Sequence, residues 1–168
     1  MKISIIIPCY NEESTILQII ELVQESLSSN DYEIIVVDDA STDNTKQFIN
    51  INSKNDDQVR FIVHEVNSGK GAALRSALNA VTGDVVIIQD ADLEYDPADY
   101  GRLLQPILAE KADVVYGSRF KSGEAARVLY FWHRVGNLIL TWLSNMFTNL
   151  NLTDMETCYK VFRKEVLD

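Results

Sequence analysis

The acidic pair Asp90-Ala91-Asp92 is the part of the sequence best suited to chemistry. It follows the apolar run Val85-Val86-Ile87-Ile88, which is typical of a strand covered on both faces. In extended backbone the side chains at positions i and i+2 point the same way, so the two carboxylates are expected to converge. Such a pair needs a proton or a cation, and Mg²⁺ or Mn²⁺ takes oxygen ligands while leaving positions open for substrate phosphates. The pair therefore favours a metal-bridged diphosphate over the alternative, a turn whose aspartates cap the next helix.

The composition describes one globular domain with an acidic balance. The chain has 168 residues, of which 46% are hydrophobic and 24% charged, and a formal net charge of −10. We expect one domain over residues 1–168 with its own core. The negative charge argues against a nucleic-acid partner, because no broad basic surface is available for phosphates. Two scattered cysteines, Cys9 and Cys158, indicate neither a disulfide framework nor a zinc cluster, and favour a reducing compartment.

Strand-like and helix-like segments alternate along the chain. This alternation predicts an α/β fold with a mainly parallel sheet and helices on both faces. No segment has the roughly 18 unbroken apolar residues of a membrane-spanning helix. The predicted strands are Ile3–Ile7, Glu33–Val37, Val59–Val66, the run before Asp90, and Asp113–Tyr116, and the predicted helices lie near 16–27, 42–51, 71–81 and 100–107.

Polar residues gather where the predicted strands end. The first strand leads into Pro8-Cys9-Tyr10-Asn11-Glu12, the second into Val37-Asp38-Asp39, and the fifth into Gly117-Ser118-Arg119. Singly, these residues could be helix caps or packing. Parallel sheets bind ligands outside the carboxyl ends of their strands, so together with Asp90-Ala91-Asp92 the segments predict one crevice.

These segments, with Gly69-Lys70-Gly71, resemble the family 2 nucleotide-sugar glycosyltransferases of the GT-A fold over essentially the whole chain. The resemblance implies a nucleotide-sugar donor and a Mg²⁺ or Mn²⁺ ion, with Asp39 at the base. Lys70 is explained equally well by direct nucleotide contact or by a flexible turn into a helix. The implied nucleotide-binding residues are Pro8, Tyr10, Asn11, Glu12, Val37, Asp39, Lys70, Asp90 and Ala91, and the implied metal ligands are Asp90, Asp92 and Glu94.

Two longer segments, 90–97 and 115–120, look like the dolichol-phosphate or polyprenyl-phosphate mannose synthase branch of the family. That branch often has Gln where this chain has Glu94. The resemblance implies an inverting transfer of mannose or glucose from GDP or UDP to a polyprenyl or dolichyl phosphate. It also implies that Arg119, Arg134 and Asn137 bind the phosphate of the lipid.

Residues 128–150 carry apolar side chains at helical spacing, including Trp132 and Trp142. The preceding stretch, 119–134, holds four cations and one acidic residue in an otherwise acidic chain. The pattern predicts an amphipathic helix, which either packs within its own domain or a dimer or lies on an anionic lipid surface. The lipid acceptor favours a cytoplasmic protein in peripheral contact with the inner face of a membrane.

The late acidic loop with Asp154 and Glu156 leaves the acceptor open. A hydroxyl acceptor needs a general base, which either residue could supply, whereas a phosphate monoester is already anionic at neutral pH. The catalytic candidates are Asp92, Asp154 and Arg119, and the alternative function is a family 2 enzyme that extends a cell-surface glycan on a hydroxyl. A phosphoacceptor signalling domain is disfavoured because its acidic pair would follow the first strand. The charged segment 163–168 predicts the start of another helix, and with it a domain shortened at its C-terminus.

Overall fold

The computed structural model describes residues 1–53, 56–118 and 131–167. Within these ranges six strands form one sheet in the order β3-β2-β1-β4-β6-β5. The strands are β1 (Lys2–Cys9), β2 (Asp31–Asp38), β3 (Val59–Val63), β4 (Val85–Ile88), β5 (Val114–Tyr116) and β6 (Lys160–Arg163). The helices are α1 (Ile16–Leu27), α2 (Thr45–Ser53), α3 (Lys70–Leu78), α4 (Tyr100–Leu108) and α5 (Phe131–Thr148), with 3₁₀ turns at Pro97–Asp99 and Lys164–Val166.

The direction of the strands brings the polar loops to one edge of the sheet. Strands β1 to β4 pair in parallel, whereas β6 lies antiparallel to both β4 and β5. Because two antiparallel steps separate β4 from β5, these two strands run the same way. The carboxyl ends of β1, β2, β4 and β5 therefore lie at the same edge of the sheet as the start of β6. The prediction of a mainly parallel sheet is confirmed.

Alternation along the strands divides the core between the two faces of the sheet. On β1, Ile5 and Ile7 pack with apolar residues of α1, α2 and α4, while Ile6 packs on the opposite face with Ala73 and Ala77 of α3. The small alanine side chains allow α3 to lie close to the strands. Helices therefore cover both faces, as the sequence predicts.

Several boundaries differ from the sequence-based expectation. Helix α2 begins at Thr45 instead of Thr42, because the main chain of Thr42 and Asn44 is bonded to side chains of the loop after β1. Strand β3 ends at Val63, three residues early. The helix expected near 163–168 is a single 3₁₀ turn within the described residues.

A buried carboxylate stabilises the sheet near the amino ends of β1, β2 and β4. Glu33 of β2 accepts hydrogen bonds from Ser4 Oγ at 2.6 Å, from Thr82 N at 2.6 Å and from Lys2 Nζ at 3.2 Å. Burial by itself would raise the pKa of Glu33, but these hydrogen bonds lower it to about 2. Glu33 therefore ties β1, β2 and the segment before β4 together as an anion.

Candidate active site

An open cleft of about 270 Å³ lies at the edge where β1, β2 and β4 end. It brings together eight of the residues predicted from sequence, drawn from four separate loops, and adds Cys9 and Ala73. Burial and the nearby Asp38 raise the pKa of the Cys9 thiol, so this side chain lines the cleft as a neutral group. The lining residues are Pro8, Cys9, Tyr10, Glu12, Asp39, Lys70, Ala73, Asp90, Ala91 and Asp92.

The acidic pair reaches the cleft through a turn. Strand β4 ends at Ile88, and the chain then turns, with Asp92 Oδ1 accepting a hydrogen bond from Glu94 N at 3.0 Å and Leu93 at a φ of 60°. The expectation that Asp90 and Asp92 share one volume is met by this turn, and the extended backbone assumed from the sequence is absent there. Glu94 is exposed and does not line the cleft.

Two carboxylates in an open cleft fit part of a divalent metal site. Among the described residues, no three His, Cys, Asp or Glu side chains are grouped closely enough to hold a metal ion. Mg²⁺ usually takes only one or two protein carboxylates and completes its shell with water and substrate phosphates. Asp90 and Asp92 therefore fit a metal that a diphosphate helps to hold, and a metal contact by Glu94 remains a prediction.

Lys70 places a positive charge beside this pair. It is the first residue of α3, after Gly69, whose φ of 83° suits glycine. The Lys70 ammonium forms an ion pair with Asp90 Oδ1. Burial by itself would lower the pKa of Lys70, but the hydrogen bond to Asp90 raises it. Lys70 lines the cleft, and a direct nucleotide contact by this residue remains a prediction.

Asp39 is the most heavily bonded side chain of the cleft. Its carboxylate accepts hydrogen bonds from Gly69 N at 2.7 Å and from Ser68 N at 3.1 Å, and contacts His64 Nδ1 at 2.6 Å. Burial would raise the pKa of Asp39, but the bonds from His64 and the two amides lower it. Asp39 therefore fixes the glycine-rich loop in addition to the predicted contact with a base.

His64 is a residue of this site that sequence reasoning missed. Its Nε2 lies 2.8 Å from Ser76 Oγ of α3, so the ring links Asp39 to that helix. The predicted strand Val59–Val66 placed His64 inside a strand. The useful signal would have been a lone histidine immediately after a shorter β3, at the ligand edge of the sheet.

The first two loops of this edge are bonded to each other. Asn11 N donates to Ser41 Oγ at 2.9 Å, and Asn11 Oδ1 accepts from Thr42 N at 2.8 Å, so the predicted nucleotide ligand Asn11 is engaged in shaping the loop. Val37 packs its side chain in the core, and its carbonyl accepts a hydrogen bond from Cys9 Sγ at 3.4 Å. Nucleotide contacts by Asn11 and Val37 therefore remain predictions.

Asp154 belongs to the loop between α5 and β6, and its side chain is buried. Asn137 Nδ2 donates to Asp154 Oδ1 at 2.6 Å, and Thr141 Oγ1 donates to Asn137 Oδ1 at 2.8 Å. The hydroxyl of Thr141 also accepts from Met155 N at 3.2 Å. Asn137 was predicted to bind the acceptor phosphate, but its amide group serves here to hold Asp154. Arg134 is exposed in the first turn of α5, and Arg119 lies outside the described residues.

Helix α5 turns a polar face to the domain and an apolar face to solvent. Its buried residues are Asn137 and Thr141, and one turn further on the Asn145 side chain exchanges two 2.8 Å hydrogen bonds with the main chain of Leu152. No helix in the described ranges is long and apolar enough to cross a bilayer. The exposed large apolar residues of α5 are Phe131, Trp132, Leu138, Ile139, Leu140, Trp142, Met146 and Phe147.

Comparison with known proteins decides the family. Residues 4–168 match the family described as Glycosyl transferase family 2. The chain belongs to glycosyl transferase family 2. A UDP-N-acetylglucosamine–dolichyl-phosphate N-acetylglucosaminyltransferase of Methanococcus voltae is 31% identical over 98% of this chain and 70% of its own length. A dolichol-phosphate mannosyltransferase of Pyrococcus furiosus is 33% identical over 73% of this chain, which spans only 34% of that relative.

Solved structures show the fold of this family 2 chain. Glucosyl-3-phosphoglycerate synthase of Mycobacterium tuberculosis, in complex with Mn²⁺, UDP and phosphoglyceric acid, superposes with a TM-score of 0.73 at 26% identity. The match covers 99% of this chain and 57% of that one. The same synthase is also known in complex with Mg²⁺ and UDP. The predicted GT-A fold is confirmed.

Proposed function

We propose that this chain transfers a hexose from a nucleoside diphosphate to a polyprenyl or dolichyl phosphate, with inversion at the sugar. The hexose is mannose or glucose, and the nucleoside diphosphate is GDP or UDP. The observation that carries the proposal is the convergence of Asp39, Lys70, Asp90 and Asp92 on one cleft of a family 2 chain. The names of two relatives, which describe transfer involving dolichyl phosphate, support the acceptor.

The cleft offers different chemistry to the two ends of a donor. At the end formed by β1 and β2, the Tyr10 ring is 45% exposed and can pack on a nucleoside, while Asp39 is an anion that can accept from a base N–H. At the other end, Lys70, Asp90 and Asp92 suit a diphosphate and its cation. A Mg²⁺ or Mn²⁺ ion held by Asp90 and Asp92 would neutralise charge on the departing diphosphate.

The acceptor is proposed to approach from the side of α5. Arginine matches phosphate oxygens with a planar fork of donors, so Arg134 and the sequence-predicted Arg119 are the proposed phosphate ligands. Asn137 is not among the proposed phosphate ligands, because its amide nitrogen is bonded to Asp154 and its amide oxygen to Thr141. The exposed apolar face of α5, with Trp132 and Trp142, is proposed to rest on the lipid surface that carries the acceptor. We therefore propose that the protein works at the cytoplasmic face of a membrane.

Asp154 has a different role for each kind of acceptor. A phosphate acceptor is an anionic nucleophile at neutral pH and needs no general base. In that case the carboxylate of Asp154, 1% exposed and held by Asn137, would order the acceptor side of the site. For a hydroxyl acceptor it would remove the proton instead.

Transfer to a hydroxyl, such as extension of a glycan, is the second candidate function. The observation that favours it is the structural neighbour with phosphoglyceric acid, because that acid carries a hydroxyl as well as its phosphate. Under this alternative, Asp154→Asn would abolish transfer. Under the lipid-phosphate proposal, the same substitution lowers the rate without abolishing it.

A transfer assay with matched acceptors tests the proposal. UDP- and GDP-hexoses are offered with Mn²⁺ and a short-chain polyprenyl phosphate, the polyprenol of the same length, or an oligosaccharide. We expect lipid-linked hexose only with the phosphate, and loss of product with a chelator. Arg134→Lys should impair lipid-phosphate kinetics while donor titration stays at the wild-type value. Product on the oligosaccharide alone would overturn the proposal in favour of the second candidate.

A further inference from the structure

The ion pair between Lys70 and Asp90 has a consequence for how a metal enters the cleft. The Lys70 ammonium lies on Asp90 Oδ1, and both side chains line the same cleft as Asp92. Asp90 is only 21% exposed, whereas Lys70 is 51% exposed. The lysine thus occupies one oxygen of the less accessible carboxylate.

A metal ion and the ammonium compete for the same carboxylate. A cation bound at Asp90 would face the positive charge of Lys70 at contact distance, and like charges so close repel strongly. Asp92 alone offers a single exposed carboxylate, which is a weak site for a hydrated divalent ion. The free cleft is therefore poorly suited to binding metal by itself.

A diphosphate changes this balance. Lysine carries its charge on a flexible four-carbon stem, and the half-exposed side chain of Lys70 follows a glycine, so the ammonium can turn toward a new anion. A diphosphate in the cleft offers that anion and also adds oxygen ligands for the metal. Release of Lys70 to the phosphates would then leave both carboxylates free to hold the ion.

We propose that Lys70 excludes the metal from Asp90 until a nucleoside diphosphate enters the cleft, so that metal and diphosphate bind as a coupled pair. This inference rests on the proposed function, since it takes the cleft as the site of a metal-bound nucleoside diphosphate. Linkage is reciprocal, so the factor by which diphosphate strengthens metal binding equals the factor by which metal strengthens diphosphate binding. Lys70 adds to the coupling that shared metal–phosphate contacts already provide.

Lys70→Met tests the coupling because it keeps most of the length of the side chain and removes its charge. Arg75→Met is the matched control, because it removes one positive charge from the same helix at a position outside the cleft. Mn²⁺ binding is measured without nucleotide from the electron paramagnetic resonance signal of free Mn²⁺. Binding of UDP and of GDP is measured by calorimetry in saturating Mn²⁺. Melting temperatures establish that the variants fold, and Lys70→Gln provides a second neutral variant.

The two measurements should move in opposite directions. Without nucleotide, Lys70→Met should bind Mn²⁺ roughly tenfold more tightly than wild type, while its affinity for the Mn²⁺-bound diphosphate should fall roughly tenfold, the size expected for one charge-assisted bond. Arg75→Met should match wild type in both. Unchanged Mn²⁺ affinity in both Lys70 variants, or an equal change in Arg75→Met, would overturn the inference. Failure of the wild type to bind either diphosphate with Mn²⁺ would instead refute the proposed function.

Discussion

Substitution of Asp39 by Asn should weaken both the fold and donor binding. The carboxylate holds Gly69 N at 2.7 Å, Ser68 N at 3.1 Å and His64 Nδ1 at 2.6 Å, whereas a carboxamide of the same shape has one accepting oxygen. Even when that oxygen faces Gly69 N and Ser68 N, an NH₂ group replaces the oxygen beside His64 Nδ1, so the charge-assisted contact with the histidine is lost. We expect a loss of roughly 1.5–3 kcal/mol in the free energy of unfolding. At about 2–4 °C per kcal/mol for a domain of this size, the melting temperature should fall by roughly 3–12 °C.

The neighbouring Asp38 supplies the control for this prediction. Asp38 is fully buried and accepts a hydrogen bond from Ser41 N at 3.1 Å, but within the described part of the chain its Oδ2 has no hydrogen-bond partner. Asp38→Asn makes the same chemical change one residue away and should cost less stability.

Thermal melts and calorimetry with UDP and GDP would measure both effects. We expect donor affinity to drop roughly tenfold or more in Asp39→Asn, for the loss of one charge-assisted bond to the base. Asp38→Asn should leave that affinity near the wild-type value. If Asp39→Asn melts at the wild-type temperature with normal affinity, or if Asp38→Asn is the more damaged variant, the reasoning about Asp39 is refuted.

Three further predictions concern stability, the Asp154 loop and α5. The lowered pKa of Glu33 contributes stability above its ordinary value of 4.5 that is lost as pH falls toward 2. Glu33→Gln should therefore cost roughly 1–3 kcal/mol at pH 7, and urea unfolding should show the gap to wild type closing below pH 4.5; a constant gap would contradict this. Asn137→Ala should lower kcat severalfold without changing the affinity for nucleoside diphosphate. The control Asn50→Ala, on α2, should leave kcat at the wild-type value. An unchanged kcat in Asn137→Ala would exclude a role of Asn137 in positioning Asp154. Trp142→Ala should reduce sedimentation with anionic vesicles without changing donor affinity, and full retention of vesicle binding would exclude α5 as the membrane contact.

The sequence predicted the part of the fold that depends on local pattern. Unbroken apolar runs such as Ile34–Val37 and helical spacing in α1 are properties of short segments, so strands, helices and a mainly parallel sheet could be derived from them. The same alternation placed the loops after β1, β2 and β4 at one edge. The cleft residues Tyr10, Asp39 and Asp92 follow from that placement.

The parts that could not be predicted depend on pairing between distant segments. Strand β6 inserts antiparallel between β4 and β5, a choice made by long-range contacts that no local pattern encodes. The apolar residues of α5 left open whether its apolar stripe packs within the domain or faces outward, and the buried Asn137 and Thr141 show that its polar face docks. His64 was not identified as a site residue because the predicted strand extended three residues beyond the true end of β3 at Val63.

Asp90 and Asp92 are proposed to form a metal-linked diphosphate site. The most direct measurement is calorimetric titration of UDP and GDP into wild type and Asp92→Asn, each with Mn²⁺ and with chelator. Asp92→Asn removes one anionic ligand while preserving shape. We expect wild type to bind one of the diphosphates at least tenfold more tightly in Mn²⁺ than in chelator, roughly the effect of one charge-assisted contact, and Asp92→Asn in Mn²⁺ to fall to the chelator value. Equal wild-type affinity in Mn²⁺ and in chelator would show that Asp90 and Asp92 do not hold a metal-linked diphosphate.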